Sequence, residues 1–299
     1  MVLKNIGITG GSGLLGLHLV KYLLKKKIKI TATYRKKIPF KHKDINWVKI
    51  DLSKLSKNKN FFEYFKKIDA LILNAATTKI IDNKKIYLKD IISTEKLSEW
   101  CLLNKIPLAY ISGSIVYKIN KKKYICENQD FSRNPTGKYY GLSKIKCEKI
   151  IKQKRKKGLK AIILRPTSIY GLNQNDKKIL NKIKENILKR TPIKIFKKQE
   201  KLNLIHASDI AKTLHKLFCK EKFENFNLSF KTNYTFKEVV MIVSKIYGIK
   251  PKLAYSNKKS NGNHIQYKLD NSKLFKSIKW LPKISLEKGL KLILKRKYY

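Results

Sequence analysis

Acidic side chains are scarce in this chain: 20 Asp and Glu stand against 70 Lys and Arg, a formal net charge of +50. Arginine is scarce within the basic set, with six (Arg35, Arg133, Arg155, Arg165, Arg190 and Arg296) beside 64 lysines. A surface selected to read phosphates favours the bidentate arginine fork, whereas these lysines run through the whole chain. Few glycines and prolines (13 and seven) accompany an excess of Asn and Ile, a profile that fits biased coding in an AT-rich genome. A solvated face is therefore expected in preference to a specific nucleic-acid face, although the field still concentrates anionic ligands. The four cysteines, Cys101, Cys126, Cys147 and Cys219, lack CxxC spacing and read as reduced and structural. The five histidines form no paired ligand motif, so no metal site is expected. No run reaches the roughly 18 apolar residues of a membrane span. Met1-Val2-Leu3-Lys4 leads straight into a strand pattern without a leader, so a cytoplasmic location is expected.

What is present is an alternation of strand and helix patterns. Strands are expected at Asn5–Thr9, Ile28–Thr33, Trp47–Ile50, Ala70–Leu73, Leu108–Ser112 and Ala161–Leu164. Helices are expected at Leu14–Lys26, Ile86–Leu103 and from Tyr139 to about Lys157, with the lysine runs at 25–27 and 121–123 in loops or at helix ends. The alternation implies an α/β fold of the Rossmann type, a doubly wound parallel sheet with a small C-terminal α/β substrate lobe. The boundary is expected near Gly171: residues 1–171 would bind a dinucleotide and 172–299 would mainly bind substrate, with about 204–230 returning to the first domain.

Thr9-Gly10-Gly11-Ser12-Gly13-Leu14-Leu15-Gly16 follows the first strand and opens the first helix. Gly10, Gly13 and Gly16 permit a tight turn, close backbone approach to a pyrophosphate and tight helix packing, and the helix start at Leu14 offers free N–H groups to phosphate. An ordinary strand-to-helix turn is the blander alternative. The second strand runs into Tyr34-Arg35-Lys36-Lys37, without the Asp or Glu that holds an NAD ribose. Arg35 could pair with a 2′-phosphate, so NADP is preferred to NAD. Asp51, with Leu52, follows the third strand and could accept from an adenine amine or cap its own turn. Tyr140 and Lys144 lie four residues apart on one helical face. An ammonium there would lower the phenol pKa towards neutrality, as acid–base work on an alcohol or carbonyl requires.

Together these motifs resemble the extended short-chain dehydrogenase/reductase family, the NAD-dependent epimerase/dehydratases of sugar metabolism. Asn74-Ala75-Ala76 resembles the family's segment under the cofactor, Ser112-Gly113-Ser114-Ile115-Val116-Tyr117 its serine region, and Leu164-Arg165-Pro166-Thr167-Ser168-Ile169-Tyr170-Gly171 its next motif. Leu204-Ile205-His206-Ala207-Ser208-Asp209-Ile210-Ala211 and Trp280-Leu281-Pro282 continue the match. The resemblance implies an NAD(P)-dependent oxidoreductase or epimerase acting on a hydroxyl or keto centre of a sugar, with a nucleotide-sugar as substrate. It implies catalysis by Tyr140, Lys144 and a serine, cofactor contacts from Asn74, Ala75, Ala76 and Pro166, and substrate contacts from Ser112, Ser114, Ser168 and His206. For His206 a buried structural role is an equal alternative. Gly113 occupies the usual catalytic Ser/Thr position; Ser114 is expected to replace it, ahead of Ser112, with the glycine backbone re-aiming its successor. No carboxylate follows Gly113, so dehydration is not expected. The family's helix asparagine aligns with Asp90, and its diphosphate-clamping arginines align with Leu202 and Ser260, with Lys201, Lys258 and Lys259 adjacent. Dimerisation through the Tyr140 helix is a further implication. The alternative function is a catalytically silent NADP(H)-binding sensor or scaffold.

Overall fold

The computed structural model describes residues 1–52, 55, 61–77, 82–118, 124–172, 179–196, 201–257 and 268–294. Ser260, Lys258, Lys259 and the lysine run 121–123 lie outside them. The chain opens with β1 (Asn5–Thr9), α1 (Leu14–Lys25), β2 (Lys29–Tyr34), β3 (Ile45–Lys49), β4 (Ala70–Leu73) and α2 (Lys84–Leu103). It continues with β5 (Leu108–Ile111), α3 (Tyr139–Lys156), β6 (Ala161–Pro166) and β7 (Ser168–Tyr170). Next come α4 (Ile179–Leu188), β8 (Ile193–Phe196), β9 (Lys201–Leu202), β10 (Leu204–His206), α5 (Ala207–Cys219), β11 (Asn225–Leu228) and β12 (Tyr234–Thr235). The last elements are α6 (Phe236–Tyr247), β13 (Leu253–Ser256), α7 (Ser272–Ile278) and α8 (Leu286–Leu294).

Seven strands form one parallel sheet in the order β11-β6-β5-β4-β1-β2-β3. Both faces are covered, which is why β4, β5 and β6 are buried at every position. Side chains alternate across the sheet. Ile6, Ile8, Ala70, Ile72, Ala109, Ile111, Ile162 and Leu164 face α1, α5 and α7. Leu71, Leu73, Leu108, Tyr110, Ala161 and Ile163 face α2 and α3. Helix α1 buries Leu15, Leu19, Val20 and Leu23, one stripe at helical spacing. The order in which successive strands are added reverses between β1 and β4, and the cleft outside their C-terminal ends is where open α/β sheets bind ligands.

A smaller core forms from α4, β8, α6 and α8, with Ile183, Ile187, Ile195, Val239, Val243 and Leu290 at its centre. Helix α6 starts with a reciprocal capping box between Thr235 and Glu238 and ends at left-handed Gly248. Between the main sheet and this lobe, β7 pairs with β10, while α5 and β11 return to the sheet. Strand ends differ from the sequence expectation by one or two residues at β2, β3, β5 and β6, within the ordinary uncertainty of frayed ends. Among the described residues no helix is long and apolar enough to cross a membrane. No group of three or more His, Cys, Asp or Glu among them is placed to hold a metal.

Candidate cofactor cleft and active site

Three strand ends build the cradle. Gly10 takes φ +68°, a left-handed conformation that side chains disfavour, and a Cβ there would lie 3.0 Å from the Ala75 Cα. Gly13 caps α1 with no side-chain bond, and no acid occupies the first turn. The first-turn N–H groups therefore point outward without a competing carboxylate. A Cβ on Gly16 would meet the Gly10 carbonyl oxygen at 2.1 Å, so helix and turn touch backbone to backbone. Thr33, at the end of β2, binds both sides of the turn: its Oγ1 accepts from Gly10 N at 2.8 Å and its carbonyl from Gly11 N at 2.8 Å. Thr9 Oγ1 accepts from the backbone N–H groups of Asn74 and Ala75, each at 3.0 Å, while Asn74 Nδ2 donates to the Gly10 carbonyl at 3.1 Å. The two threonines were not legible as cradle residues, because a lone Thr at a strand end carries no pattern. The cradle is shaped by backbone that admits no Cβ and offers N–H donors, which fits a dinucleotide pyrophosphate.

Arg35 lies just past β2 and is exposed, as are Lys36 and Lys37. Asp51 is exposed beyond β3, and Leu52 accepts a hydrogen bond from Ser93 Oγ on α2 through its carbonyl. Pro166 closes β6 and is buried, its carbonyl oxygen 3.8 Å from where a Gly113 Cβ would stand.

Helix α3 brings Tyr140 and Lys144 to the same cleft. Pro135 presses on the helix start so closely that a Gly141 Cβ would be 2.5 Å from its Cβ. Lys144 is buried, the one buried lysine among the described residues, and its Nζ donates to the Ile111 carbonyl at 2.8 Å. It stands 4.9 Å from the Tyr110 ring centre and 6.0 Å from that of Tyr140. Burial lowers the Lys144 pKa, opposed by Cys147, Asp90 and Glu148. The expected lowering of the Tyr140 pKa is corrected here. Burial, with Asp90 and Tyr87 adding to it, pushes the phenol up to about 12. The physical reason is that the ammonium is bound to a backbone carbonyl instead of the phenol oxygen, so desolvation of the phenolate prevails.

The serine segment also departs from expectation. Gly113 has φ 179° and ψ 161°, extended angles open to any residue, so no glycine-specific turn re-aims Ser114. A Cβ at Gly113 would find nothing nearer than 3.7 Å. Ser114 starts a short 3₁₀ turn and is nearly buried, and its hydroxyl makes no hydrogen bond among the described residues. Ser112 Oγ instead donates to Glu148 Oε1 at 2.6 Å, away from the cleft. Ser168 is exposed in β7. His206 is fully buried and does not line an open cleft. Its Nδ1 caps α5 at Ser208 N, and its ring sits edge-on to His18 and Tyr170. Asp90 accepts from Thr77 N at 2.8 Å, joining α2 to the loop after β4. Leu202 is buried in the lobe core, while Lys201 is exposed.

A glycine-shaped backbone cradle and the helix that carries Tyr140 and Lys144 thus meet at the C-terminal ends of one parallel sheet. The profile of the NAD dependent epimerase/dehydratase family matches residues 6–229, and this chain belongs to that family. A putative UDP-glucose 4-epimerase of Methanocaldococcus jannaschii is 25% identical over 95% of both chains. GDP-L-fucose synthase 1 of Arabidopsis thaliana is 24% identical over 81% of this chain and 80% of its own. Among solved structures, the UDP-N-acetylglucosamine 4-epimerase of Methanobrevibacter ruminantium superposes with a TM-score of 0.86 at 22% identity, covering 99% of this chain and 98% of that one.

Proposed function

We propose that this protein is an NAD(P)-dependent epimerase or reductase acting on a hydroxyl or keto centre of a sugar carried by a nucleotide. The observation that carries the reading is Lys144: it is the one buried lysine among the described residues, and it is desolvated beside Tyr140. The relatives' names supply the substrate class, and Arg35 supports NADP over NAD. When bound, the nicotinamide cofactor supplies the hydride acceptor and donor. The Gly10–Gly16 cradle and the α1 start hold its pyrophosphate, Arg35 its 2′-phosphate, and Lys144 its nicotinamide ribose. Tyr140, a neutral phenol at pH 7, gives its proton to the oxygen of a carbonyl being reduced. Ser114 donates a hydrogen bond to the same oxygen in the place left by Gly113. Leu88, Ile92 and Leu142 are exposed on α2 and α3, which supports a homodimer through these helices, and the enzyme works in the cytoplasm.

The test is hydride exchange between labelled NADPH or NADH and a panel of UDP-, dTDP- and GDP-linked 4-keto sugars. Exchange is expected, and Tyr140→Phe should abolish it while cofactor affinity stays nearly intact. Retention of more than about a hundredth of the rate excludes a general-acid contribution of the usual ~10²–10⁴-fold. A second reading, a silent NADP(H) sensor, is favoured by the missing hydroxyl at Gly113. Tight cofactor binding with no exchange on any sugar would select it.

A further inference from the structure

Tyr140, Lys144 and Glu148 are spaced i, i+4 and i+8 on α3, one stripe that steps about 6 Å along the helix between neighbours. Glu148 is fully buried, yet its carboxylate is completely engaged. It accepts from Ser112 Oγ at 2.6 Å, from Arg165 Nε at 2.9 and 3.2 Å, and from Arg165 Nη2 at 2.5 Å. Arg165 is also fully buried; its Nη1 donates to the Tyr117 hydroxyl at 2.5 Å and to the Glu127 carbonyl at 2.9 Å. The Tyr117 hydroxyl donates in turn to Asn227 Oδ1 at 2.7 Å. A buried pair of this kind is weak grounds for stability, since apolar residues of similar volume often serve as well. What distinguishes it is its location. Ser112 follows Ile111, the residue whose carbonyl holds the Lys144 ammonium, and Arg165 follows Leu164, the register partner of Ile111 across β5 and β6. The end of β5 is thus tied to α3 at two successive residues, once by Lys144 and once by Glu148.

We propose that Glu148 is a positioning residue for the Tyr140–Lys144 pair: it fixes the strand end that receives the lysine ammonium and places a buried negative charge one turn below it. The inference rests on the reading that Tyr140 and Lys144 carry the proton transfer. The groups facing Lys144 are Tyr140, Cys147 and Glu148 on its own helix, Asp90 on α2 and Tyr110 on β5. Around Glu148 stand Arg165 and Tyr117 from the sheet side and Lys152 and Arg155 further along α3. Burial lowers the Lys144 pKa, and Cys147, Asp90 and Glu148 oppose that lowering.

The test uses the full chain with cofactor and compares wild type with Glu148→Gln and the paired change Glu148→Leu with Arg165→Met, which removes both charges and preserves volume. Folding is checked by circular dichroism. In either folded variant kcat should fall about tenfold or more with KM little changed. The alkaline limb of the pH profile of kcat/KM should move down by about one pH unit, the usual effect of losing a nearby opposite charge. A folded paired variant with unchanged kcat and pH profile would overturn the proposal, because a purely structural pair predicts that result. If both variants misfold, Ser112→Ala decides: it leaves the ion pair in place, and kcat should fall several-fold, whereas an unchanged kcat overturns the proposal. If wild type exchanges no hydride, the functional reading fails on its own. The dissociation constant of the cofactor against pH then decides: weakening that sets in about one unit lower in the paired variant supports Glu148, and superimposable curves overturn its role.

Discussion

Replacing Gly16 with alanine should damage the protein more than any other small change near the cleft. Position 16 is helical, so alanine brings a propensity gain of about 1 kcal/mol. Against that gain stands the contact: the new Cβ would be 2.1 Å from the Gly10 carbonyl oxygen and 2.7 Å from the Gly11 Cα. Ordinary carbon contacts lie at about 3.5–4.0 Å, so helix and turn must part by about 1 Å or more. Neither neighbour is a side chain that can rotate away. Overpacking costs about 1–3 kcal/mol and more where the surroundings cannot yield, so the steric effect wins and a net loss of about 2 kcal/mol is expected. At about 2–4 °C per kcal/mol the melting temperature should fall by about 4–8 °C. Separation also pulls Gly10 from Thr33 and Gly13 from Gly10, bonds of 2.8 and 3.0 Å that shape the cradle. Cofactor affinity should therefore drop at least about tenfold, or 1.4 kcal/mol. Thermal unfolding and fluorescence titration with NADPH and NADH measure both. Gly113→Ala is the control, since its Cβ meets nothing closer than 3.7 Å and its angles are ordinary; its melting temperature should stay within about 1–2 °C of wild type. If Gly16→Ala kept wild-type stability and affinity, or if Gly113→Ala cost as much, the reasoning from backbone contact would be wrong.

NADP(H) should bind more tightly than NAD(H), and Arg35→Ala should weaken NADP(H) alone by about tenfold, the usual scale of one charge-assisted contact; equal or tighter NADH binding in titrations refutes this. Ser114→Ala should lower kcat/KM by at least about tenfold, or 1.4 kcal/mol, with a smaller loss in Ser112→Ala; a reversed order in steady-state kinetics would reassign the role. His18 and His206 are buried neutral, burial pulling their pKa values from 6.5 down to about 3 and about 4, with His206 and then Lys21 adding to the effect at His18. Below pH 6.5 the unfolded chain binds protons that the folded one refuses, so stability should fall with pH from about 6.5 towards 4, by up to about 1.4 kcal/mol per unit for each histidine. Urea unfolding across that range should show the slope, and His206→Asn, which can still cap α5, should remove part of it; an unchanged slope would place the acid sensitivity elsewhere.

The parallel sheet, the position of six of its strands along the chain and the glycine turn at Gly10–Gly16 were legible in the sequence because they depend on local rules. Continuous apolar runs such as Ala70–Leu73 mark strands covered on both faces, and glycines between a strand and a helix mark a turn that admits no side chains. The pairing of Tyr140 with Lys144 on one face follows from helical periodicity alone. Their electrostatics did not follow, because a pKa depends on what desolvates a group and on where an ammonium finds its acceptor. Here that acceptor is the Ile111 carbonyl, a partner 33 residues away. The family resemblance ranked Ser114 ahead of Ser112, and tertiary structure alone shows what occupies Ser112, by setting Glu148 and Arg165 beneath it. For His206 the sequence left a pocket role and a buried structural role equally open, and packing between His18 and Tyr170 makes it a buried helix cap. Local periodicity determined which segments form the fold. Which polar groups face the cleft was decided only when strands and helices distant in sequence closed around them, because burial and hydrogen-bond partners belong to the assembled structure.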